Sequence, residues 1–129
     1  MEKPIIKRVL IMENNLIEVF GKLVKTSRDT GLDIVSNYKN NIEIPQSPDE
    51  EQKALMELIK TLDVEQFHQL HKGMKYCIEL SLFKLLSTIE RGVGDYSFDL
   101  SMQNSSDKTQ LVGENIDNEL SLEYWNWIS

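Results

Sequence analysis

Residues 64–90 read VEQFHQLHKGMKYCIELSLFKLLSTIE, and this stretch decides the fold class because its apolar residues recur at helical spacing. They are Phe67, Leu70, Met74, Ile78, Leu82 or Phe83, Leu85 and Ile89. Side chains three or four positions apart lie on one face of an α-helix. The stretch therefore predicts a helix of about 27 residues, ~40 Å long. Because glycine inside a helix costs about 1 kcal/mol, we expect a bend or break at Gly73.

A helix start lies directly before this stretch. Asp63 is followed three residues later by Gln66, which is the spacing of a capping box. In a capping box, the cap side chain and the third helical side chain each accept the other's backbone N–H. The pair predicts a new helix after Asp63 and a sharp corner near Leu62.

Residues 47–50 read Ser-Pro-Asp-Glu and predict the start of an earlier helix. Serine is a favoured N-cap, proline suits the first helical position, and Glu50 would complete a capping box with Ser47. This helix is expected to end near Thr61. Its predicted buried residues are Leu55, Leu58, Ile59 and Leu62.

A long N-terminal helix is predicted from Pro4 to Arg28, where apolar residues again recur every three or four positions. They are Ile5, Val9, Met12, Leu16, Val19 and Leu23. Pro4 suits the first turn, and Gly31 is expected as the C-cap. The alternative is a strand over residues 5–12, where β-branched residues are dense. Residues 32–47 predict one or two helical turns followed by a connecting loop.

Residues from Tyr96 to Met102 alternate between apolar and polar, which is the period of a half-buried strand. A polar turn at residues 104–107 and a second short segment at 109–113 would complete a β-hairpin. The chain is then expected to finish in one or two helical turns that begin at Asp117 or Ser121, because both residue types cap helices well.

These elements predict a mainly α fold with a minor β part. We expect a single-domain helical bundle over residues 1–129, with a long N-terminal helix, a capped helix pair and a short C-terminal β-hairpin. Residues 94–129 would form an acidic subregion of hairpin and short helix. The alternative is an all-α fold in which residues 95–113 are irregular.

The net charge of −7 is unevenly distributed along the chain. Residues 1–30 hold six bases and four acids, whereas the remaining 99 residues hold eight bases and seventeen acids. Nucleic-acid binding needs clustered Lys and Arg, so nucleic acid is not the expected partner.

Cysteine usage and hydropathy predict the compartment. Cys77 is the only cysteine, so no internal disulfide can form, and we expect it to be a small buried apolar residue. The N-terminal residues lack the long apolar run of a signal peptide, and no segment approaches the ~20 apolar residues of a membrane span. A cytoplasmic protein without a membrane partner is expected.

The candidate binding region is residues 95–129, which carry seven acids against one base and end on an aromatic cluster. The acids expected to steer a partner are Asp95, Asp99, Asp117, Glu119 and Glu123. The aromatic residues expected to anchor it are Tyr124, Trp125 and Trp127. This composition predicts a non-catalytic acidic protein of the inhibitor or immunity type, which captures a basic protein such as a nuclease toxin.

The two tryptophans lie about 200° apart on a helix, so both cannot face the same core. We expect at least one of them to pack in the core and one to lie at a surface or an interface.

Two other functions remain as alternatives. The first is a small helical metal-binding protein or enzyme that uses Glu65, His68 and His71, which have the Glu-x-x-His spacing of metal-binding helices. Because the chain has only two histidines, we expect no metal site and no cofactor. No nucleophile elbow or phosphate-binding loop occurs, so no catalytic residue is expected. The second alternative is a structural homo-oligomer, in which the apolar stripe of residues 67–89 continues across a subunit interface.

Overall fold

The computed structural model describes residues 5–114, 116 and 119–129, with side chains from Leu16 onward. This part of the chain contains four helices and one two-stranded antiparallel sheet, so the mainly α prediction with a small hairpin is confirmed. None of these helices is long and apolar enough to cross a membrane. The elements are α1 (Ile5–Lys39), α2 (Glu50–Thr61), α3 (Val64–Arg91), β1 (Leu100–Gln103), β2 (Lys108–Val112) and α4 (Leu120–Ile128).

The chain forms two compact units. Unit 1 comprises Met1–Thr26 and Ser81–Ser129, and unit 2 comprises Ser27–Leu80. Both boundaries fall inside helices, one in α1 and one in α3. The expectation of one domain over residues 1–129 stays a prediction.

In unit 2, helix α1 continues through Gly31 to Lys39, so the predicted C-cap at Gly31 is wrong. A Cβ at Gly31 would lie 2.9 Å from Cδ1 of Ile78, which shows that this glycine permits close packing of α1 on α3. The helix ends instead at Lys39, and Asn41, two residues later, has a left-handed φ of 60°. The N–H of Ile42 donates to the carbonyl of Asn37 at 2.8 Å, which completes a Schellman motif.

Helix α2 begins two residues after the predicted start. Its N-cap is Asp49, and Asp49 and Gln52 form the capping box, with each side chain accepting the other's backbone N–H at 2.7 and 2.9 Å. Aspartate caps at least as well as serine, and Pro48 has no N–H to satisfy in the position before the cap. The predicted box of Ser47 and Glu50 is therefore wrong. Ile59 is buried as predicted, whereas Leu58 is exposed.

Helix α3 follows the predicted corner. The N–H of Gln66 donates to Asp63 Oδ1 at 2.8 Å and the N–H of Asp63 donates to Gln66 Oε1 at 3.0 Å, which confirms the second capping box. The expected break at Gly73 is wrong, because the helix runs without interruption to Arg91. Gly92, at φ 79°, follows its last residue.

A buried ion pair connects α1 to α3 inside unit 2. Arg28 Nη1 lies 2.8 Å from Glu79 Oε2, and Arg28 Nη2 lies 2.9 Å from Asp29 Oδ1. The side chains of Arg28 and Glu79 are only 10% and 18% exposed. Burial opposes the charge of Arg28, but hydrogen bonds and charges of Glu79 and Asp29 outweigh it, so the pKa of Arg28 is raised above its ordinary value.

In unit 1 the hairpin contains a bulge that turns two consecutive residues into the core. Leu100 pairs with Val112 and Ser101 with Gln110, so Leu111 is the extra residue. Leu111 and Val112 are both buried, which strict alternation would not allow. The predicted hairpin is confirmed, but its first strand begins at Leu100 and not at Tyr96.

The core of unit 1 lies where the hairpin and α4 pack with residues of α1 and α3. Its buried residues are Val24, Leu86, Leu111, Val112, Leu120, Tyr124 and Ile128. Helix α4 begins at Leu120, so the predicted cap at Ser121 is wrong, and the other predicted start, Asp117, lies outside the described residues.

Candidate functional site

Helix α4 has one buried face and one exposed face. At 100° per residue, Leu120, Ser121, Tyr124 and Ile128 fall within about 100° of one another, and all four are buried. The opposite face carries the exposed residues Glu119, Leu122, Glu123, Trp125 and Asn126, which we name the α4 patch. Leu122 is 60% exposed and Trp125 is 45% exposed.

The α4 patch is held firmly from beneath. The Tyr124 ring is fully buried and lies 6.3 Å from the Phe83 ring, and Trp125 lies 5.3 Å from the same ring. Glu119, at the N-cap position, makes no side-chain cap bond. The carboxylate of Glu90 in α3 caps the helix instead. It accepts hydrogen bonds from the backbone N–H of Ser121 at 3.2 Å and from the Ser121 hydroxyl at 2.9 Å. Side chains on a helix that is fixed by packing and hydrogen bonds lose less entropy on binding than side chains on a free loop.

A tight turn before the hairpin exposes a second group of apolar and acidic side chains. Val93 and Tyr96 exchange backbone N–H···O bonds of 2.9 Å across the turn, and Gly94 between them has a φ of 59°. Tyr96 is 79% exposed, and Asp95 and Phe98 are also exposed. We name Val93, Asp95, Tyr96 and Phe98 the turn patch.

The structure does not bring all of the predicted acidic site residues together. Glu119, Glu123 and Trp125 lie together on the α4 patch, and Asp95 lies on the turn patch. Asp99 is exposed, but it accepts a hydrogen bond from the Gln110 side-chain amide. Asp117 lies outside the described residues.

Tyr124 is not available as an anchor, because its side chain is fully buried in the core of unit 1. The sequence prediction of an exposed Tyr124 is therefore wrong. Trp127 is half-buried and packs edge-on against Phe20, with ring centroids 5.7 Å apart. Trp125 and Trp127 therefore differ in burial, as their opposite directions on the helix predicted. Trp127 packs against the core, and Trp125 is partly exposed.

Sequence reasoning missed Leu122, Tyr96 and Phe98 as exposed apolar residues. Tyr96 and Phe98 fit the pattern of a half-buried strand, so the sequence placed them in the hairpin. Leu122 gave one usable signal, because six of the nine residues of α4 are large and apolar. So many cannot all fit on one buried face of a single helix.

The alternative metal residues are not brought into a site. Glu65 and His68 are exposed, and the His71 ring packs at 6.3 Å from Phe67. Among the residues that the structure describes, no group of three His, Cys, Asp or Glu side chains could hold a metal ion. Cys77 is exposed, so the expectation that it is a buried apolar residue is wrong.

The chain matches no protein-family model, no curated protein and no solved structure.

Proposed function

We propose that this chain is a non-catalytic binding protein that captures a basic protein partner through the α4 patch, with the turn patch as a second contact. The observation that carries the proposal is the exposure of Leu122 and Trp125 on the side of α4 that also carries the exposed Glu119 and Glu123. Large apolar side chains held in solvent cost free energy unless a partner covers them.

The charge of the region favours a basic partner. Residues 95–129 carry seven acids and one base, which gives a balance of −6. Such a concentration of one sign raises the rate of encounter with a surface of the opposite sign and disfavours other acidic proteins.

The exposed aromatic residues supply the affinity that charge alone does not. Tryptophan and tyrosine are enriched among the interface residues that contribute most to binding, because they bury much area while losing few rotamers. Trp125 and Tyr96 are the residues in this role. Tyr96 directly follows Asp95 in the sequence, and Trp125 lies on the exposed side of α4 that also carries Glu119 and Glu123.

An inhibitor or immunity protein for a nuclease toxin is the form of this function that we favour. A nuclease must present Lys and Arg to bind phosphates, so an acidic patch with aromatic anchors can cover its substrate site. Blocking requires no catalytic group of the inhibitor itself. A cytoplasmic location accords with the role, because exposed free thiols such as that of Cys77 persist in a reducing compartment.

One observation favours the second candidate, a homo-oligomer that associates through α3. In unit 2, an open apolar groove of about 420 Å³ is lined by Gln69, Leu70, Gly73, Met74, Cys77 and Ile78. A second copy of the chain could cover this groove. The mass of the protein in solution tests this candidate, because a monomeric mass at high protein concentration would exclude a homo-oligomer.

Neutralising three acids should slow capture of the partner. We expect Asp95→Asn with Glu119→Gln and Glu123→Gln to lower the association rate about tenfold at low salt and to leave the dissociation rate nearly unchanged. The difference should shrink as salt is added, because salt screens exposed charges. Surface plasmon resonance with the captured basic protein measures both rates.

The matched control neutralises Asp33, Glu57 and Glu65, which are exposed acids of unit 2, and changes the net charge equally. If both triple variants slow association to the same extent, net charge alone is responsible and the α4 patch is not the site.

A further inference from the structure

A cleft in unit 1 is lined by charged side chains of both signs. It has a volume of about 340 Å³, within the range of small-molecule sites, and it lies between α1 and α4. Its lining residues are Glu18, Gly21, Lys22 and Lys25 of α1, and Glu123, Asn126 and Trp127 of α4. The spacing in each helix is three or four residues, so each set lies on one helical face.

The four charged side chains of the cleft form no ion pair or hydrogen bond with one another. In the part of the chain that the structure describes, no hydrogen bond or ion pair involves the side chains of Glu18, Lys22, Lys25 or Glu123. Two cations and two anions around one cleft give a lining of zero net charge. Such a lining favours a ligand that carries both signs over a simple anion or a simple cation.

Among the cleft charges on α1, Glu18 and Lys25 are the pair of opposite sign that lies furthest apart, with Lys22 between them. Glu18 and Lys25 are seven residues apart, which corresponds to about 10 Å along the helix axis. The termini of an extended dipeptide are about 7 Å apart. Flexible Glu and Lys side chains can therefore reach the ammonium and the carboxylate of one such ligand at the same time.

The cleft also offers an aromatic contact. The indole of Trp127 lies directly over Gly21, where a Cβ would be 2.5 Å from its Cδ1 and Nε1 atoms. The absence of a side chain at position 21 thus allows Trp127 to form one wall of the cleft. The Asn126 amide can both donate and accept hydrogen bonds with a peptide unit.

We propose that this cleft binds a short zwitterionic peptide of dipeptide size. Lys22 and Lys25 hold its carboxylate, Glu18 and Glu123 hold its ammonium group, and Trp127 contacts an apolar side chain. The site goes beyond the proposed capture of a basic protein. It shares Glu123 and Asn126 with the α4 patch, but Glu18, Lys22, Lys25 and Trp127 lie outside that patch, so peptide binding can be tested without the basic partner.

Three related peptides test the proposal with the full chain. The probes are glycyl-phenylalanine, its N-acetyl derivative and its C-terminal amide, and the readout is the indole N–H resonance of Trp127 in a Trp125→Phe background. We expect a saturable shift with glycyl-phenylalanine and about tenfold weaker binding of each blocked peptide, since one lost charge contact of about 1.4 kcal/mol is a factor of ten.

Variants assign the two ends of the site. Lys25→Met should weaken binding of glycyl-phenylalanine about tenfold and leave binding of the amide unaffected. Glu18→Gln should weaken binding of the amide and leave binding of the N-acetyl peptide unaffected. Lys84→Met and Glu114→Gln, at exposed positions outside the cleft, should change nothing. Absence of a saturable shift, equal binding of all three peptides, or binding of the N-acetyl peptide as tight as that of the free peptide would overturn the proposal.

Discussion

Gly21→Ala is expected to lower the free energy of unfolding by about 2 kcal/mol, although alanine is the better helix former. The new Cβ would lie 2.5 to 2.6 Å from three ring atoms of Trp127. Real Cβ contacts are not that short, so the indole must leave its position. Trp127 packs against the core of unit 1 and against Phe20, so its displacement costs more than the ~1 kcal/mol that alanine contributes to the helix.

Gly73→Ala is the matched control, because Gly73 is also helical but nothing lies within 4 Å of its Cβ position. This substitution should stabilise the protein by up to about 1 kcal/mol. Urea denaturation measures both changes. Adding Trp127→Ala to Gly21→Ala should cost less than the sum of the two single changes, because the clash is then already removed. A stabilising Gly21→Ala would contradict the packing described for Trp127.

Arg28→Leu is expected to lower the free energy of unfolding by about 3 kcal/mol. The substitution removes the Arg28 guanidinium from the largely buried Glu79 carboxylate, and breaking a buried ion pair by removing one partner is strongly destabilising. The free energy of unfolding at neutral pH measures the loss. Lys72→Leu, which removes an exposed cation from the same unit, should change stability by less than about 0.5 kcal/mol.

The double variant Arg28→Leu with Glu79→Leu separates the charge effect from the shape effect. Replacing both members of a buried pair by apolar residues is often neutral or stabilising, so most of the lost stability should return. A double variant that is even less stable than Arg28→Leu alone would contradict this expectation and would show that the attraction within the pair is itself stabilising.

Local signals in the sequence predicted the helices where a single mechanism controlled them. The Asp63 and Gln66 pair specified its own capping box, and the apolar stripe of residues 64–90 specified one long helix. The predicted helix end at Gly31 and the predicted break at Gly73 were wrong for two different reasons. At Gly31 the helix continues because its flat surface admits Ile78 from α3, and at Gly73 the cost of one glycine is too small to break a 28-residue helix.

The candidate site could be predicted only in part, because exposure is a tertiary property. Glu119, Glu123 and Trp125 follow from composition and helical angle, but the burial of Tyr124 depends on how α4 docks in the core of unit 1. The cleft beside Trp127 depends on residues about 100 positions apart in sequence, from Glu18 to Trp127. No periodicity within either helix could reveal that the two faces meet.

A photoreactive benzoylphenylalanine at position 125 tests the central claim most directly, with position 76 as the control, because Trp125 and Tyr76 are both exposed aromatic residues. We predict that irradiation in cells that naturally produce the chain attaches one basic protein at position 125 and not at position 76. The adduct should disappear when Asp95, Glu119 and Glu123 are neutralised. No adduct at position 125, an acidic protein in the adduct, or equal attachment at both positions would contradict the claim that the α4 patch captures a basic partner.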